Sequence, residues 1–210
     1  MKIIKSVSFD GSTLLDAGRS EQPKPEAIER TVQAVCSPRV SFRTGSKQHN
    51  LHVLRYAIHS QLPVEWLERW DSAFRIHLAI MSAPFDELIL TGKKKIESRF
   101  SCNRSRAWSN VYAGDIVVMK QSGGPIVGLF VVSKADRYTS TPTVSNWWSL
   151  RTSYSERICA TDAFWESVAH RNFAILMWVG AHHRLQTPVE LERAKGDRSG
   201  WMLLSSRVEK

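Results

Sequence analysis

Cysteines and long apolar runs are scarce in this sequence of 210 residues. Its three cysteines, Cys36, Cys102 and Cys159, are too few and too scattered for a disulfide framework or a zinc site. The longest nearly apolar run, Phe173–Ala181, is too short to span a bilayer, which takes about 20 apolar residues. The N-terminus also lacks the apolar core of a signal peptide. We therefore expect reduced thiols, a cytoplasmic location and no membrane partner.

Familiar catalytic and cofactor-binding signatures are missing as well. The sequence contains no G-x-S-x-G nucleophile elbow. The glycines of the segment 122–125 are followed by a proline and an apolar run, which is typical of a hairpin turn and not of a phosphate-binding loop. The seven histidines form no metal-ligand pattern, because His182 and His183 are adjacent and so point to opposite faces of a strand. We expect neither a metal nor a cofactor.

Positive charge is what the chain has in excess. It carries 29 Lys and Arg against 20 Asp and Glu, a formal net charge of +9. The surplus is +3 over residues 1–75 and +6 over residues 76–210, so it is spread along the chain and is not a basic tail. An excess of this kind favours nucleic acid or another polyanion as the partner, although it says nothing about the fold.

The first 74 residues favour helices wherever they show a period. Residues 1–24 are mostly small and polar, and apolar spacings of three and four predict helices near residues 28–35 and 51–58, with a polar loop at Val40–Asn50. Pro63 opens a third helix. Its expected apolar stripe comprises Val64, Leu67, Trp70 and Phe74. We expect residues 1–74 to form a mainly helical or partly disordered extension of unknown role.

From residue 75 onward the pattern changes to strands with few helices between them. Helices are expected over residues 82–91 and within 145–170, the latter with Asp162 as a candidate cap, and a polar, basic loop at Phe100–Val111. Many strands with few helices favour a small mixed barrel of the α+β class over a doubly wound sheet. The expected strands are Ile76–Ile80, Ile116–Met119, Ile126–Ser133, Phe173–Val179, His182–Leu185 and Trp201–Leu204.

A helix stop followed by a mixed-charge strand lies at residues 92–99. Gly92 ends the preceding helix as a residue that adopts the left-handed conformation. The alternation after it predicts a strand whose buried face holds Ile96 and whose other face holds Glu97 and Arg99. Helix, turn and strand together place Lys94, Glu97 and Arg99 around one small concave region.

Two interpretations of these charges are open. In the first, the three lysines form a solvated turn and Glu97 makes a surface ion pair, which contributes about 0–1 kcal/mol. In the second, Arg99 and Lys94 hold an anionic or polar ligand, while Glu97 orients them or acts as an acid or base.

Gly92, Lys94, Glu97 and Arg99 match the G-x-K-x-x-E-x-R signature of the activating-signal-cointegrator homology (ASCH) domain, and the chain resembles this relative of the PUA fold of RNA-modifying proteins. The resemblance extends to the Gly-Asp element at Ala113–Lys120 and covers roughly residues 75–205. It implies a PUA-like mixed β-barrel with flanking helices over residues 75–205, preceded by the extension 1–74 and followed by a tail, 206–210.

The resemblance and the basic residues together imply recognition of RNA or a nucleotide-like ligand, with single-stranded RNA or a small molecule as the partner. Trp108, in a polar loop, is the expected exposed stacking residue. The expected binding residues are Lys93, Lys94, Arg99, Arg104, Arg106, Trp108, Lys120 and Ser122.

The alternative is a metal-independent enzyme, a ribonuclease or an acylcytidine amidohydrolase, with Lys94 and Glu97 as its acid–base pair. The family's amidohydrolases use a lysine at the position of Lys94 and a threonine nucleophile at the position of Glu97. A threonine-assisted mechanism therefore does not carry over to this chain.

Overall fold

The computed structural model describes residues 37–140, 147–193 and 198–206. Predictions for the remaining residues, among them the helix near 28–35, lie outside these ranges. The strands are β1 (Arg39–Ser41), β2 (Arg75–Met81), β3 (Ile96–Ser101), β4 (Ile116–Gln121), β5 (Ile126–Thr139), β6 (Phe173–Glu192) and β7 (Trp201–Ser206). The helices are α1 (Lys47–His59), α2 (Val64–Ser72), α3 (Phe85–Leu90), α4 (Arg106–Asn110), α5 (Trp148–Ile158) and α6 (Asp162–Val168).

The strands form one mixed sheet with the order β1-β6-β5-β4-β2-β7, and β3 pairs with β6. The pairs β1–β6 and β2–β4 are parallel, and the other pairs are antiparallel. A mixed sheet with flanking helices confirms the predicted α+β class. Within the described ranges the pairings run as an open path, so closure into a barrel stays a prediction.

Strand β6 organises the sheet because it is 20 residues long and pairs along both edges. One edge pairs with β5, while the other edge pairs with β3 near Phe173 and with β1 near Glu190. The sequence predicted two strands here, separated near Gly180. The break was wrong: a Cβ at Gly180 would lie 3.1 Å from the Val131 carbonyl oxygen, so glycine permits the close approach of β5 where its register with β6 shifts.

The segment from β1 to α2 packs on this sheet. Leu54 of α1 and Trp66 and Trp70 of α2 belong to the same buried apolar cluster as Leu78 of β2. The predicted loop at residues 40–50 was partly wrong, because β1 runs to residue 41 and α1 begins at residue 47. The division of the chain at residue 74 stays a prediction.

The apolar stripe predicted for α2 was right for Trp70 and Leu67, which pack on the core, and wrong for Val64 and Phe74. Val64 is 69% exposed and Phe74 is 43% exposed, whereas Trp66 and Trp70 are buried. Trp66 and Trp70 are four residues apart, so they lie one above the other on a single face of the helix. That face carries the larger apolar area, and its burial contributes more to the packing free energy.

The helix, turn and strand predicted at residues 85–101 all form, but the two faces of β3 do not differ at its start, because Ile96 and Glu97 are both buried. Gly92 has φ of +70°, in the left-handed region, and follows Thr91, the C-cap of α3. The Lys94 backbone N–H donates to the Leu88 carbonyl oxygen at 2.8 Å, which turns the chain back towards the helix before β3 begins.

Two local predictions near the site need correction. The expected loop at Phe100–Val111 contains the end of β3 and the short helix α4, whose N-cap Ser105 accepts a hydrogen bond from the Trp108 backbone N–H at 3.1 Å. Thr161, and not Asp162, caps α6, because its hydroxyl accepts from the Phe164 backbone N–H.

Candidate ligand cleft

Lys94, Glu97 and Arg99 form a compact ionic group. Lys94 Nζ lies 3.7 Å from Glu97 Oε2, and Arg99 Nε lies 2.8 Å from Glu97 Oε1. The side chains of Lys94 and Glu97 are only 3% and 6% exposed, and that of Arg99 is 26% exposed. The surface interpretation is therefore wrong for this pair: one buried carboxylate lies between two cationic side chains.

The C-terminal end of α5 buries Lys94. Lys94 Nζ donates a hydrogen bond to the Ile158 carbonyl oxygen at 2.5 Å, where the helix macrodipole favours positive charge. The ammonium also lies 4.9 Å from the ring centroid of Phe85 in α3. Its neighbours Lys93 and Lys95 stay exposed. Only the middle member of the lysine run therefore belongs to the site.

Burial lowers the pKa of Lys94 below its ordinary value of 10.5. Desolvation is the largest cause and the charge of Arg99 adds to it, while Glu97 and Cys159 act in the opposite direction. The uncharged amine is therefore accessible at a lower pH than for an ordinary lysine. A lysine of this kind is able to take up and release a proton, which is the property expected of an acid–base residue.

Arg99 is fixed to the end of β2. Its Nη2 donates to the Ile80 carbonyl oxygen at 3.0 Å and contacts Met81 Sδ at 3.1 Å. The guanidinium lies 5.3 Å from the ring centroid of Trp201. Although Nε is close to the Glu97 carboxylate, its N–H is not aligned for a hydrogen bond to any acceptor in the described residues. The Nε atom of Arg99 is thus buried against the carboxylate, while the side chain as a whole stays 26% exposed.

A cleft of about 170 Å³ opens over this ionic group. Phe85 and Phe164 form apolar walls, and Ser98 and Cys159 add polar groups. A water molecule takes about 30 Å³ of liquid, so the cleft has room for roughly five, well below the 300–1,000 Å³ or so of drug-sized sites. It accommodates part of a ligand, such as the edge of a base or an acyl group, and not a whole nucleotide.

A larger groove of about 820 Å³ lies between β1 and α1. Arg39, His52 and the exposed Tyr56 line it, but none of the motif residues does. We favour the smaller cleft as the candidate site because it brings buried charges together, and perturbed ionisable groups in a cleft mark functional sites more specifically than volume does.

Lys120 and Ser122, predicted to face the cleft, do not line it. Lys120 Nζ instead donates to the carbonyl oxygens of Gln121 and Gly124 and holds the β4–β5 turn. Burial, followed by the charge of Arg193, lowers the pKa of Lys120. Ser122 is exposed, and its backbone N–H donates to the Met81 carbonyl oxygen. The prediction failed because strand direction alone does not show which side of a turn faces a neighbouring helix.

Trp108 is half-buried and is not the exposed stacking residue that we expected. Its ring packs edge-on against Phe173, with centroids 5.6 Å apart. Arg104 lies over the ring at 5.0 Å from the centroid. Arg104 and Arg106 are exposed, as is Lys93, so these three remain available to a polyanion.

A buried polar network of His77, Asp115 and Trp201 lies beside the cleft and was not predicted from the sequence. His77 Nε2 lies 3.0 Å from Asp115 Oδ2, and Trp201 Nε1 donates to His77 Nδ1 at 3.1 Å. An indole N–H only donates, so Nδ1 is the acceptor and the His77 ring proton lies on Nε2, facing Asp115. The Gly-Asp element thereby fixes the tryptophan on which Arg99 rests. The alternating pattern of β2 was the available signal, because it placed His77 among apolar residues.

The described part of the chain is thus an α+β fold with a buried charged cleft. In the search of solved structures, the chain is similar to an ASCH protein from Zymomonas mobilis: 12% identity, TM-score 0.44, covering 55% of this chain and 73% of that one. The structure of a serine-to-alanine variant of that protein has 11% identity and a TM-score of 0.45, and the match covers 56% of this chain and 75% of that one. The structure of a tyrosine-to-phenylalanine variant has 12% identity and a TM-score of 0.44, and the match covers 55% of this chain and 75% of that one. No family model and no curated protein matches the chain.

The described residues bear on two predictions, that the chain has no metal site and that it has no membrane-spanning segment. Within them, no group of three or more His, Cys, Asp and Glu side chains is arranged to hold a metal ion. None of the helices in those ranges is long and apolar enough to cross a membrane.

Proposed function

We propose that the chain is an ASCH-type protein that recognises RNA or a nucleotide-like ligand in the cleft around Lys94, Glu97 and Arg99. The observation that carries the proposal is the buried ionic group of Lys94, Glu97 and Arg99, which lines a cleft open to solvent. The side chain of Arg99 is 26% exposed, so it is the member of this group that a ligand oxygen reaches most readily. The proposal includes closure of the sheet into a PUA-like barrel and a cytoplasmic location.

The burial of these charges is itself an argument for a function. Replacing a buried ion pair by apolar residues is often neutral or stabilising, so a buried ionic group is poorly explained by stability alone. The same charges give a small cleft strong directional contacts, because a guanidinium presents N–H donors in a fixed geometry that matches phosphate and carboxylate groups.

The exposed cations around the cleft have a separate part in the proposal. Lys93, Arg104 and Arg106 attract the phosphates of a single-stranded RNA, a contribution that falls with salt. Lys120 and Ser122 are left out, because their contacts belong to the β4–β5 turn.

Fluorescence anisotropy of a labelled single-stranded RNA tests this proposal. Arg99→Lys keeps the positive charge but loses the fork of donors, so we expect binding to weaken about tenfold or more, the effect of losing a charge-assisted hydrogen bond of about 1.5–3 kcal/mol. Arg55→Lys is the matched control, because Arg55 pairs with Asp71 on the exposed surface of α1 and α2. Equal affinity of wild type and Arg99→Lys contradicts the proposal.

A metal-independent enzyme is the second candidate, and the lowered pKa of Lys94 next to Glu97 favours it. Lys94→Ala and Glu97→Ala are both expected to abolish turnover of RNA or of N4-acetylcytidine, measured by chromatography of the products with a chelator present. Near-ultraviolet circular dichroism establishes that each variant is folded. Turnover that persists in both folded variants excludes the acid–base pair.

A further inference from the structure

Arginines and aromatic rings alternate along one surface beside α4. Arg75 lies 4.5 Å and Arg137 4.6 Å from the ring centroid of Tyr112. Arg137 also lies 5.9 Å from the ring centroid of Trp108, over which Arg104 lies at 5.0 Å. We call Arg75, Tyr112, Arg137, Trp108 and Arg104 the arginine–aromatic strip. Arg75 and Arg137 were not among the predicted binding residues, because they are distant along the chain from the other three.

The strip is held in place by contacts with the fold. Arg137 donates from Nε to the Trp108 carbonyl oxygen and from Nη2 to the Val111 carbonyl oxygen, both at the end of α4. The Tyr112 backbone N–H donates to Asp115 Oδ2 at 2.8 Å. The Arg137 guanidinium and Tyr112 are therefore positioned before any ligand binds, which reduces the entropy lost on binding.

The positive charges of the strip have no carboxylate partner in the described ranges. There, Arg75, Arg104 and Arg137 make no ion pair, whereas Arg151 and Arg184 each contact a carboxylate at 2.7 Å. The guanidinium carbons of Arg75 and Arg137 are no more than about 9 Å apart, because both lie over the same ring. The guanidinium carbons of Arg104 and Arg137 are no more than about 11 Å apart, because both lie over the Trp108 ring. A row of three uncompensated cations at this spacing complements a polyanion.

The chemistry of the strip favours phosphates over stacked bases. Guanidinium groups already lie over the rings of Tyr112 and Trp108, where a base would stack. The guanidinium N–H groups of Arg75 and Arg104 make no hydrogen bond to another described residue and are the groups left for a ligand. Guanidinium N–H groups match the oxygens of a phosphate.

We propose that the arginine–aromatic strip binds the phosphate backbone of single-stranded RNA and leads the strand to the cleft. The inference rests on the proposed function in taking RNA as the partner. The cleft and the strip are connected through Trp201. Arg99 of the cleft lies over the Trp201 ring, and Trp201 shares one apolar cluster with Ala107 and Trp108 of α4. The strip attracts and orients the RNA strand, and the cleft selects the group that enters it.

The test measures RNA affinity across a salt series by anisotropy, with a labelled oligouridine of about 12 nucleotides, within the roughly 4–16 that single-strand sites occupy. Arg75→Gln and Arg104→Gln are each expected to lower the salt slope by about 0.7, the value for one phosphate contact, and so to weaken binding about fivefold at about 0.1 M salt. Arg43→Gln is the matched control, because Arg43 is exposed and lies over no ring. We expect it to leave the slope unchanged.

Substitutions of Tyr112 separate geometry from net charge. Tyr112→Phe keeps the ring and is expected to bind as wild type, while Tyr112→Leu removes the ring between two arginines without changing the charge and is expected to weaken binding severalfold. Equal loss in Arg43→Gln and Arg75→Gln, or unchanged slopes in Arg75→Gln and Arg104→Gln, overturns the inference. If the salt slopes of Arg75→Gln and Arg104→Gln fall while Arg99→Lys binds as wild type, the strip proposal stands and the cleft proposal fails. If Arg99→Lys weakens binding while those slopes stay unchanged, the strip proposal alone is overturned.

Discussion

Glu97→Gln is the most informative single substitution, because Glu97 is the carboxylate between two cations. Glutamine keeps the shape of the side chain but removes the negative charge that lies near Lys94 Nζ and Arg99 Nε. Breaking a buried ion pair by removing one partner costs about 3–5 kcal/mol. Release of the Lys94 proton limits this cost as pH rises, so we expect a loss at the lower end of that range, about 3 kcal/mol, or about 6–12 °C in Tm for a domain of this size.

The loss of stability in Glu97→Gln should depend on pH, because Lys94 titrates differently in the folded and the unfolded protein. The pKa of Lys94 is lower in the folded protein than the ordinary 10.5. Between the two values the unfolded chain binds the proton and the folded chain does not, so stability rises with pH across that window. Glu97 is the largest influence that raises this pKa, so its loss extends the window to lower pH. The deficit of Glu97→Gln should therefore be largest at the lowest pH measured and shrink as pH rises towards 10.

Urea unfolding of wild type and Glu97→Gln at several pH values between about 6 and 10 measures the effect. Glu87→Gln is the control, because Glu87 makes an exposed ion pair with Arg184 at 2.7 Å. Solvent screens that pair, so its loss should cost at most about 1 kcal/mol at every pH. A Glu97→Gln deficit as small as that of Glu87→Gln, or one that does not change with pH, refutes the coupling between Glu97 and Lys94.

Two further substitutions test the packing that positions the cleft. Gly128→Ala places a Cβ about 2.5 Å from the His183 carbonyl oxygen, so β5 and β6 must separate, and we expect a loss of about 1–3 kcal/mol in urea unfolding. Gly200→Ala, with open space at its Cβ, should stay within about 0.5 kcal/mol of wild type; equal losses would contradict the packing argument. Trp201→Phe removes the donor to buried His77 and should lower the unfolding free energy by about 1–3 kcal/mol, so an unchanged urea midpoint would show that the network is not needed.

The sequence by itself determined the local elements around the cleft. The helix before Gly92, the left-handed conformation of Gly92 and the strand after it depend on neighbouring residues, and each is confirmed. The contrast expected between the two faces of β3 was wrong, because Glu97 is buried as Ile96 is. The strands β2, β4, β5 and β7 were located for the same reason. The continuity of β6 past Gly180 was missed, because a glycine in a strand marks a close backbone approach as readily as a break.

Tertiary structure alone decided which of these side chains are buried. Lys94 is buried against the carbonyl group of Ile158, 64 positions away, and a periodicity cannot show which element covers a face. Arg137 belongs to β5, and its guanidinium lies over the rings of Tyr112 and Trp108. A periodicity cannot show this contact either, because the residues are distant along the chain. Sequence patterns report which residues share a face; the desolvation that gives Lys94 its lowered pKa depends on what packs against that face.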